Sequence, residues 1–481
     1  MEPRDSSEVI ARIAIVGGGI TGAVVASILA SAGAEVVCFD QGRRGPGGRA
    51  SHRSVRCADS SVLADDELPS ESSYEFDHGC QFTRADSPRM RELVGKWVDR
   101  GWAAPWDGRF GSVADASSTA AVRTTTTSDF FGLPSSKRPV YVGVGGMQQL
   151  PRAVLRASGA TVHRGQRVSS VASEGLGWFL RGVSGAAAFH DSAEAVASAA
   201  APCSLAPGTP PFDAVVLTDI SSSFGEWHRA SAGVPEIIAA RIRERVRVPL
   251  FSCQVALLGD GLSGCVDLDG ISFRGSDALW WAARSSSKPG FPKKEHAAAE
   301  CWTLISTPAY AAAEITRVPM QDERGVFIPQ SDDYLNGEEG PGHALLAAFQ
   351  RALAPKLVAA GIERFPEVVF MQAQRWGSAL PAPTDDVRGP SSSTRSTVRI
   401  IAGVKYECSD TLPLMPQAEG DGDGVRPEDE FIADDALRLF YAGDFASRRA
   451  PGFEAAALSG LACAEHMLSL GSLFQKVKAQ Q

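Results

Sequence analysis

Residues 11–51 read ARIAIVGGGITGAVVASILASAGAEVVCFDQGRRGPGGRAS. Ile13 to Val16 is a short β-branched apolar run, which reads as a buried strand. A glycine turn follows at once, with Gly17, Gly19 and Gly22 in G-x-G-x-x-G spacing. Ile20 to Ala32 is small and apolar, a helix suited to close packing on a sheet. Gly33 is placed to end that helix in the left-handed conformation. Glu35 to Asp40 is the second strand, closed by the acid. Each glycine has its own task in such a unit. Gly17 lets the chain turn sharply out of the strand, Gly19 lets the backbone approach a pyrophosphate, and Gly22 lets helix and strand pack closely. The helix start offers free N–H groups and a positive dipole end to phosphate. Asp40 stands where an acid accepts hydrogen bonds from a ribose diol. Among 48 glycines the spacing alone is weak; the order strand, turn, helix, strand, acid makes it a dinucleotide-binding unit.

The loop after Asp40 contains Arg43, Arg44, Gly45, Pro46, Gly47, Gly48 and Arg49. Its proline and glycines exclude a helix, and its arginines can bring positive charge to phosphates. Residues 52–73 are polar and read as loop. Tyr74 to Phe82 ends in a short strand, and Pro88 to Gly101 has a helical period. Residues 111–128 and 184–211 are Ser/Ala-rich and read as insertions. Tyr141 to Gly143, Thr161 to His163, Val168 to Val171, Trp178 to Arg181 and Phe212 to Thr218 read as strands. Further strands are expected over Arg247 to Leu258, Ile271 to Phe273, Leu279 to Ala283, Cys301 to Ser306 and Val368 to Arg375, and a helix over Gly342 to Gly361. Residues 381–397 and 416–430 read as loops. At the far end a strand (Arg438 to Tyr441) leads through Gly443 and Asp444 to a Pro451-Gly452 turn and a helix from Phe453 to Ser469. A strand, an acid and a helix start thus return, as at the beginning of the chain.

Bulk composition narrows the classes. The chain has 481 residues, 44% hydrophobic and 21% charged, enough to build sizeable cores. A net charge of −9 gives no support to non-specific nucleic-acid binding. The nine cysteines are scattered, without metal-ligand or disulfide spacing, which fits a reducing compartment. No signal peptide, transit peptide or membrane span is read. The expectation is a soluble, cytoplasmic protein, with no metal and no membrane or nucleic-acid partner.

Four features together resemble the flavin-dependent amine oxidase superfamily: the G-x-G-x-x-G, the G-G-R at Gly47, Gly48 and Arg49, the D-x-G-x-Q stretch at Asp77, Gly79 and Gln81, and the terminal Gly443-Asp444 turn. The wording Arg44 to Arg49 and the strand end Gln374-Arg375-Trp376 look most like its renalase-like branch. The resemblance implies an α/β fold: a doubly wound, Rossmann-like FAD-binding domain assembled from discontinuous segments (1–70, 140–225, 430–481). The substrate domain (71–139, 226–429) would be built on a mostly antiparallel sheet. It implies non-covalent FAD, a hydride passed from an amine or dihydronicotinamide-type donor to flavin N5, and reoxidation by dioxygen to hydrogen peroxide. Gly17, Gly19 and Gly22 would cradle the pyrophosphate, and Asp40, where the family usually has Glu, would hold the adenosine ribose. Arg44 and Arg49 would neutralise phosphate, with Gly47 and Gly48 near the flavin. Val168 would touch adenine through its backbone. Asp444 would bind the ribityl chain beside Gly443, and the helix start at Gly452 and Phe453 would face the flavin pyrimidine edge. No catalytic acid or base is assigned. His78, Trp376, Lys405 and Cys408 are weaker candidates, each with a structural reading, as are Trp280 and Trp281. The rival readings are an FAD-dependent desaturase of isoprenoid or tetrapyrrole substrates, and a flavin-binding protein without catalysis.

Overall fold

The computed structural model describes residues 11–42, 44–61, 73–114, 139–175, 177–184, 203–259, 261–292, 299–322, 328, 330–383, 398–401, 403–408 and 429–471. Most of the stretches read as insertions lie outside the described residues. The chain forms two compact units, one of Met1–Gly48, Leu150–Arg245 and Asp423–Gln481, the other of Arg49–Gln149 and Val246–Gly422.

The first unit is built on a six-stranded sheet in the order Ile432–Asp434, Leu439–Tyr441, Ala214–Leu217, Arg12–Val16, Glu35–Asp40, Thr161–Arg164. All neighbours are parallel except the first pair. The central strands are apolar along their whole length because parallel sheets are covered on both faces; Ile13, Ile15, Val215, Val216 and Phe440 are fully buried. The helix Ile20–Ser31 ends at Gly33, whose φ of +96° is the left-handed conformation expected there. It packs closely on the last helix, Phe453–Ser469. The Thr21 hydroxyl donates to the Ala456 carbonyl at 2.9 Å, and a Cβ on Gly460 would lie 2.6 Å from the Thr21 carbonyl oxygen. Two segments distant in sequence are thereby held side by side. A three-stranded antiparallel sheet (Gln166–Glu174, Gly177–Ser184, Cys203–Ser204) completes this unit.

The second unit is a mostly antiparallel eight-stranded sheet around the long strand Arg247–Leu258, which pairs with Ala299–Ser306 on one side and Val368–Pro381 on the other. Alternation gives this sheet two unlike faces. Phe251, Cys253 and Val255 join a core with Trp302, Phe273 and the helix Pro341–Ala359, whose Phe349 ring lies 5.4 Å from that of Trp302. The opposite face carries polar side chains.

Two readings of the sequence are corrected here. Residues 52–73 were expected to be loop, but His52–Arg56 is a strand paired antiparallel with Ser73–Asp77. Its inward face is polar (His52, Ser54), so it lacks the apolar alternation that marks a half-buried strand. Its other face places Val55 with Tyr74 and Phe76 in a small apolar cluster. Arg49 onward groups with the second unit, and residues 226–245 group with the first. The strand expected to end at Arg375 runs on to Pro381.

Candidate functional site

The three motif glycines differ in what holds them. Gly17 has φ +105°, and a Cβ there would lie 2.5 Å from the Thr218 hydroxyl. A Cβ on Gly22 would lie 2.1 Å from the Gly17 carbonyl oxygen. Both are required by the protein's own backbone. Gly19 is not: its φ is −72°, open to any residue, and its nearest contacts would be Gly47 O at 3.9 Å and Gly48 Cα at 4.0 Å. The space beside Gly19 is a cradle that a side chain would fill, rimmed by the Gly47–Gly48 turn. Gly19 also caps the helix Ile20–Ser31 without a side chain, and no acid stands in the first turn. Its leading N–H groups therefore suit an anion. These residues fit the diphosphate of a dinucleotide.

Asp40 is buried and braces this turn. Its Oδ2 accepts from Gly18 N at 2.7 Å and its Oδ1 from Gly42 N at 2.8 Å. Burial raises its pKa against these two hydrogen bonds; nearby Asp219 adds to the rise and Arg152 opposes it. A carboxylate has about four acceptor positions, so two remain for a ribose diol. Arg44 is half-buried on the same loop, and Arg152 Nε donates to the Pro46 carbonyl at 3.2 Å.

The far end of the chain meets this turn within the same unit. Gly443 has φ +128°, and a Cβ on it would lie 3.6 Å from the Thr21 hydroxyl and 3.9 Å from the Thr218 carbonyl oxygen. Its N–H donates to Ser459 Oγ at 2.7 Å. Asp444 is 1% exposed, in the field of Arg245, whose guanidinium donates to the Ser447 carbonyl at 3.0 Å. A ligand is therefore not the sole compensation for its charge. Gly452, at φ +136°, leads into Phe453–Ser469 with no side-chain cap. Val168 is buried in the three-stranded sheet, and its carbonyl accepts from the Trp227 indole at 3.1 Å. Arg49 groups with the other unit, where its guanidinium donates to the Ala379 carbonyl at 2.9 Å.

The second unit holds a buried charge cluster that sequence reasoning missed. Asp77 is its hub. Its Oδ2 accepts from Lys288 Nζ at 2.9 Å, and its Oδ1 accepts from Met147 N at 2.8 Å and faces His52 Nδ1 at 3.2 Å. His52 Nε2 lies 2.7 Å from Glu75 Oε2, whose carboxylate also accepts from Ser54 and Ser73. Lys288 is completed by Gln81 Oε1 at 3.3 Å and by the Trp106 ring at 5.2 Å. The D-x-G-x-Q stretch thus gains a physical reading. Asp77 ties four segments together. A Cβ on Gly79 would lie 2.1 Å from the Arg49 carbonyl oxygen, and Gln81 donates back to the Asp77 and Gly79 carbonyls. Burial raises the Asp77 pKa, but Lys288 and His52 outweigh it and hold the carboxyl below its ordinary value. Burial disfavours the His52 imidazolium, but Asp77 and Glu75 outweigh it and push the pKa up to about 9.

A stability prediction follows for His52. Its folded pKa lies above its unfolded value, so its contribution is complete below about pH 6.5 and lost as pH rises through about 9. Urea denaturation should show a loss of about 3 kcal/mol, most of it between about pH 6.5 and 9. His52→Gln should be less stable at neutral pH and lack most of that decline. An unchanged alkaline slope in the variant would mean that His52 is neutral in the fold.

The weaker candidates separate as well. Lys405 is exposed on the strand Val404–Glu407, and the lysine buried among the described residues is Lys288. His78 is buried, with its ring 5.6 Å from that of Trp376. Trp376 is half-buried, and Trp280 and Trp281 are core residues. Cys408 is half-buried and its thiol pKa is raised by burial. Among the described residues, no group of His, Cys, Asp and Glu is arranged to hold a metal, and no helix is long and apolar enough to cross a membrane.

Comparison with known proteins agrees with this geometry. Residues 15–97 match the NAD(P)-binding Rossmann-like domain. The fold is similar to that of putrescine oxidase bound to putrescine, at 13% identity and a TM-score of 0.50, over 95% of this chain and 99% of that one. A triple mutant from a redesign of that enzyme's cofactor binding aligns over the same shares at 13% identity and a TM-score of 0.52. No curated protein matches the chain by sequence. The architecture is close to a flavin amine oxidase fold, a Rossmann-like dinucleotide domain with a separate sheet-rich domain. Identity this low speaks for the fold and not for the reaction.

Proposed function

We propose that the chain is an FAD-dependent oxidoreductase of the amine oxidase type, in its renalase-like branch, acting on an amine or dihydronicotinamide-type donor. The observation that carries this reading is the open cradle at Gly19, bordered by Gly47 and Gly48, with Gly443 from the far end of the chain beside Thr21 and Thr218 of the same unit. A nicotinamide dinucleotide needs the first turn; engagement of a second, terminal helix start favours FAD. The N–H groups from Gly19 onward would hold the pyrophosphate, with Arg44 contributing charge. Asp40 would hold the ribose, Val168 the adenine through its backbone, and Asp444 the ribityl chain, without a covalent link.

The chemistry that FAD supplies when bound is acceptance of a hydride, with dioxygen as the final acceptor and hydrogen peroxide as product. The protein's own contribution is positional and electrostatic. The positive end of the dipole of the 17-residue helix Phe453–Ser469 would stabilise negative charge placed against it. Asp77 and both ring nitrogens of His52 are engaged in the buried cluster. None of them stands as a free base, so the donor should give its hydride without a protein-derived general base.

The test is peroxide release from a panel of amines and dihydronicotinamides under air, with absorbance followed under anaerobic conditions. The expected result is bleaching of a flavin spectrum by one donor class and its recovery with peroxide when air is admitted. No bleaching by any donor would contradict an oxidoreductase. Asp444→Ala should weaken FAD by about 10- to 150-fold, the value of a hydrogen bond to a charged group. Asp444→Asn, which keeps the shape beside Arg245, should show a smaller loss in the same titration.

A further inference from the structure

One face of the strand pair Arg247–Leu258 and Val368–Pro381 is polar. The register sets Ser252 opposite Gln374 and Gln254 opposite Gln372. Strand alternation puts Trp376 on the same face as the two glutamines of its strand. Arg53, from the strand His52–Arg56, points its guanidinium into this row. Its Nη1 donates to Gln254 Oε1 at 3.2 Å and to Gln372 Oε1, and its Nη2 donates to Gln374 Oε1 at 3.2 Å.

A guanidinium has donors and no acceptor, so it selects the oxygen of each carboxamide. The three NH2 groups are consequently turned away from Arg53. Gln254 is buried and gives an N–H to Ser252 Oγ at 3.3 Å. Gln372 and Gln374 are half-exposed, and no acceptor for their NH2 groups stands among the described residues. Trp376 lies next in the row, its indole N–H shared between Ser252 Oγ at 3.0 Å and the His78 carbonyl at 3.2 Å. The surface therefore offers oriented N–H donors, a cation behind them and an aromatic ring beside them.

We propose that this face recognises its ligand through hydrogen-bond acceptors, so that the substrate is an amine that also carries a carboxylate or carboxamide. Gln372 and Gln374 are the donors to that group, and Arg53 orients them and supplies favourable charge. The inference rests on the amine reading above and deepens it by substrate class. A simple diamine has donors only and two positive charges; it meets N–H groups and a guanidinium here.

Calorimetric titration of the full chain, as purified, tests this with putrescine and 4-aminobutyrate, which are of similar length and differ in a carboxylate for one ammonium end. 4-Aminobutyrate should bind at least about tenfold more tightly. Gln374→Glu keeps the volume, places a carboxylate on Arg53 and removes the NH2 donor. It should weaken 4-aminobutyrate by about tenfold or more and strengthen putrescine. Gln372→Glu is expected to act in the same direction and serves if the first variant fails to fold. A parent that prefers putrescine, or that binds neither ligand at millimolar concentration, would overturn the proposal, as would folded variants with the parent's preference. The FAD reading fails separately: a colourless protein that still discriminates between the two ligands would sink that reading and leave the acceptor-recognising face standing.

Discussion

Gly19→Val is expected to give a folded protein that retains no FAD. At φ −72° a β-branched residue is unstrained, and the nearest protein atom to its Cβ would be 3.9 Å away. Neither backbone strain nor a close contact at Cβ resists the substitution. What resists it is the phosphate backbone that the cradle is proposed to hold. A branched side chain fills that space and screens the helix N–H groups, so affinity should fall by at least about a hundredfold, beyond retention through purification. Gly22→Ala provides the contrast. Its Cβ would lie 2.1 Å from the Gly17 carbonyl oxygen, so the helix must shift, and the loss should appear in the melting temperature as well. Flavin content per folded protein, read beside the thermal unfolding curve, separates the two. A normal flavin content in Gly19→Val would mean that this turn is not the phosphate site.

Asp77→Ala should be among the most destabilising single substitutions in the second unit, by about 3–5 kcal/mol. It leaves the Lys288 ammonium, which is buried, and the Met147 N–H without their carboxylate, and it removes one of the two acids that hold His52 charged. The cost comes from a stranded buried charge more than from the worth of the pair. Removing both charges in Asp77→Asn with Lys288→Met should therefore cost less than Asp77→Ala alone, although two residues change. Urea denaturation of the three proteins gives the comparison. A double variant less stable than Asp77→Ala would show that the cluster is a net source of stability rather than a matched set of charges.

The first unit was legible because its fold is written in backbone geometry. A left-handed turn at Gly17 and a close approach at Gly22 leave only glycine as an answer, and the spacing shows it. The terminal Gly443-Asp444 turn was legible for the same reason, and the parallel pairings through Ala214–Leu217 bring it to the first turn. The second unit hid its chemistry in long-range pairing. Lys288 and Asp77 are 211 residues apart, and only the fold joins them. The visible signal was local and weak: a lysine ahead of Pro289-Gly290 at the end of an apolar strand. The strand His52–Arg56 escaped because its buried face is hydrogen-bonded and polar. Lys405, noticed through the family resemblance, stands exposed on its strand. The glutamine row escaped because Gln254 and Gln372 are ordinary residues until the register sets them opposite each other.

The central claim is that the two ends of the chain build one site for FAD. Its most direct measurement is the visible spectrum of the purified protein, followed by identification of the small molecule released by acid. The account predicts flavin absorbance bands and FAD in the supernatant, about one per chain, with the precipitate colourless. A colourless protein that binds NAD but not FAD on titration would contradict it.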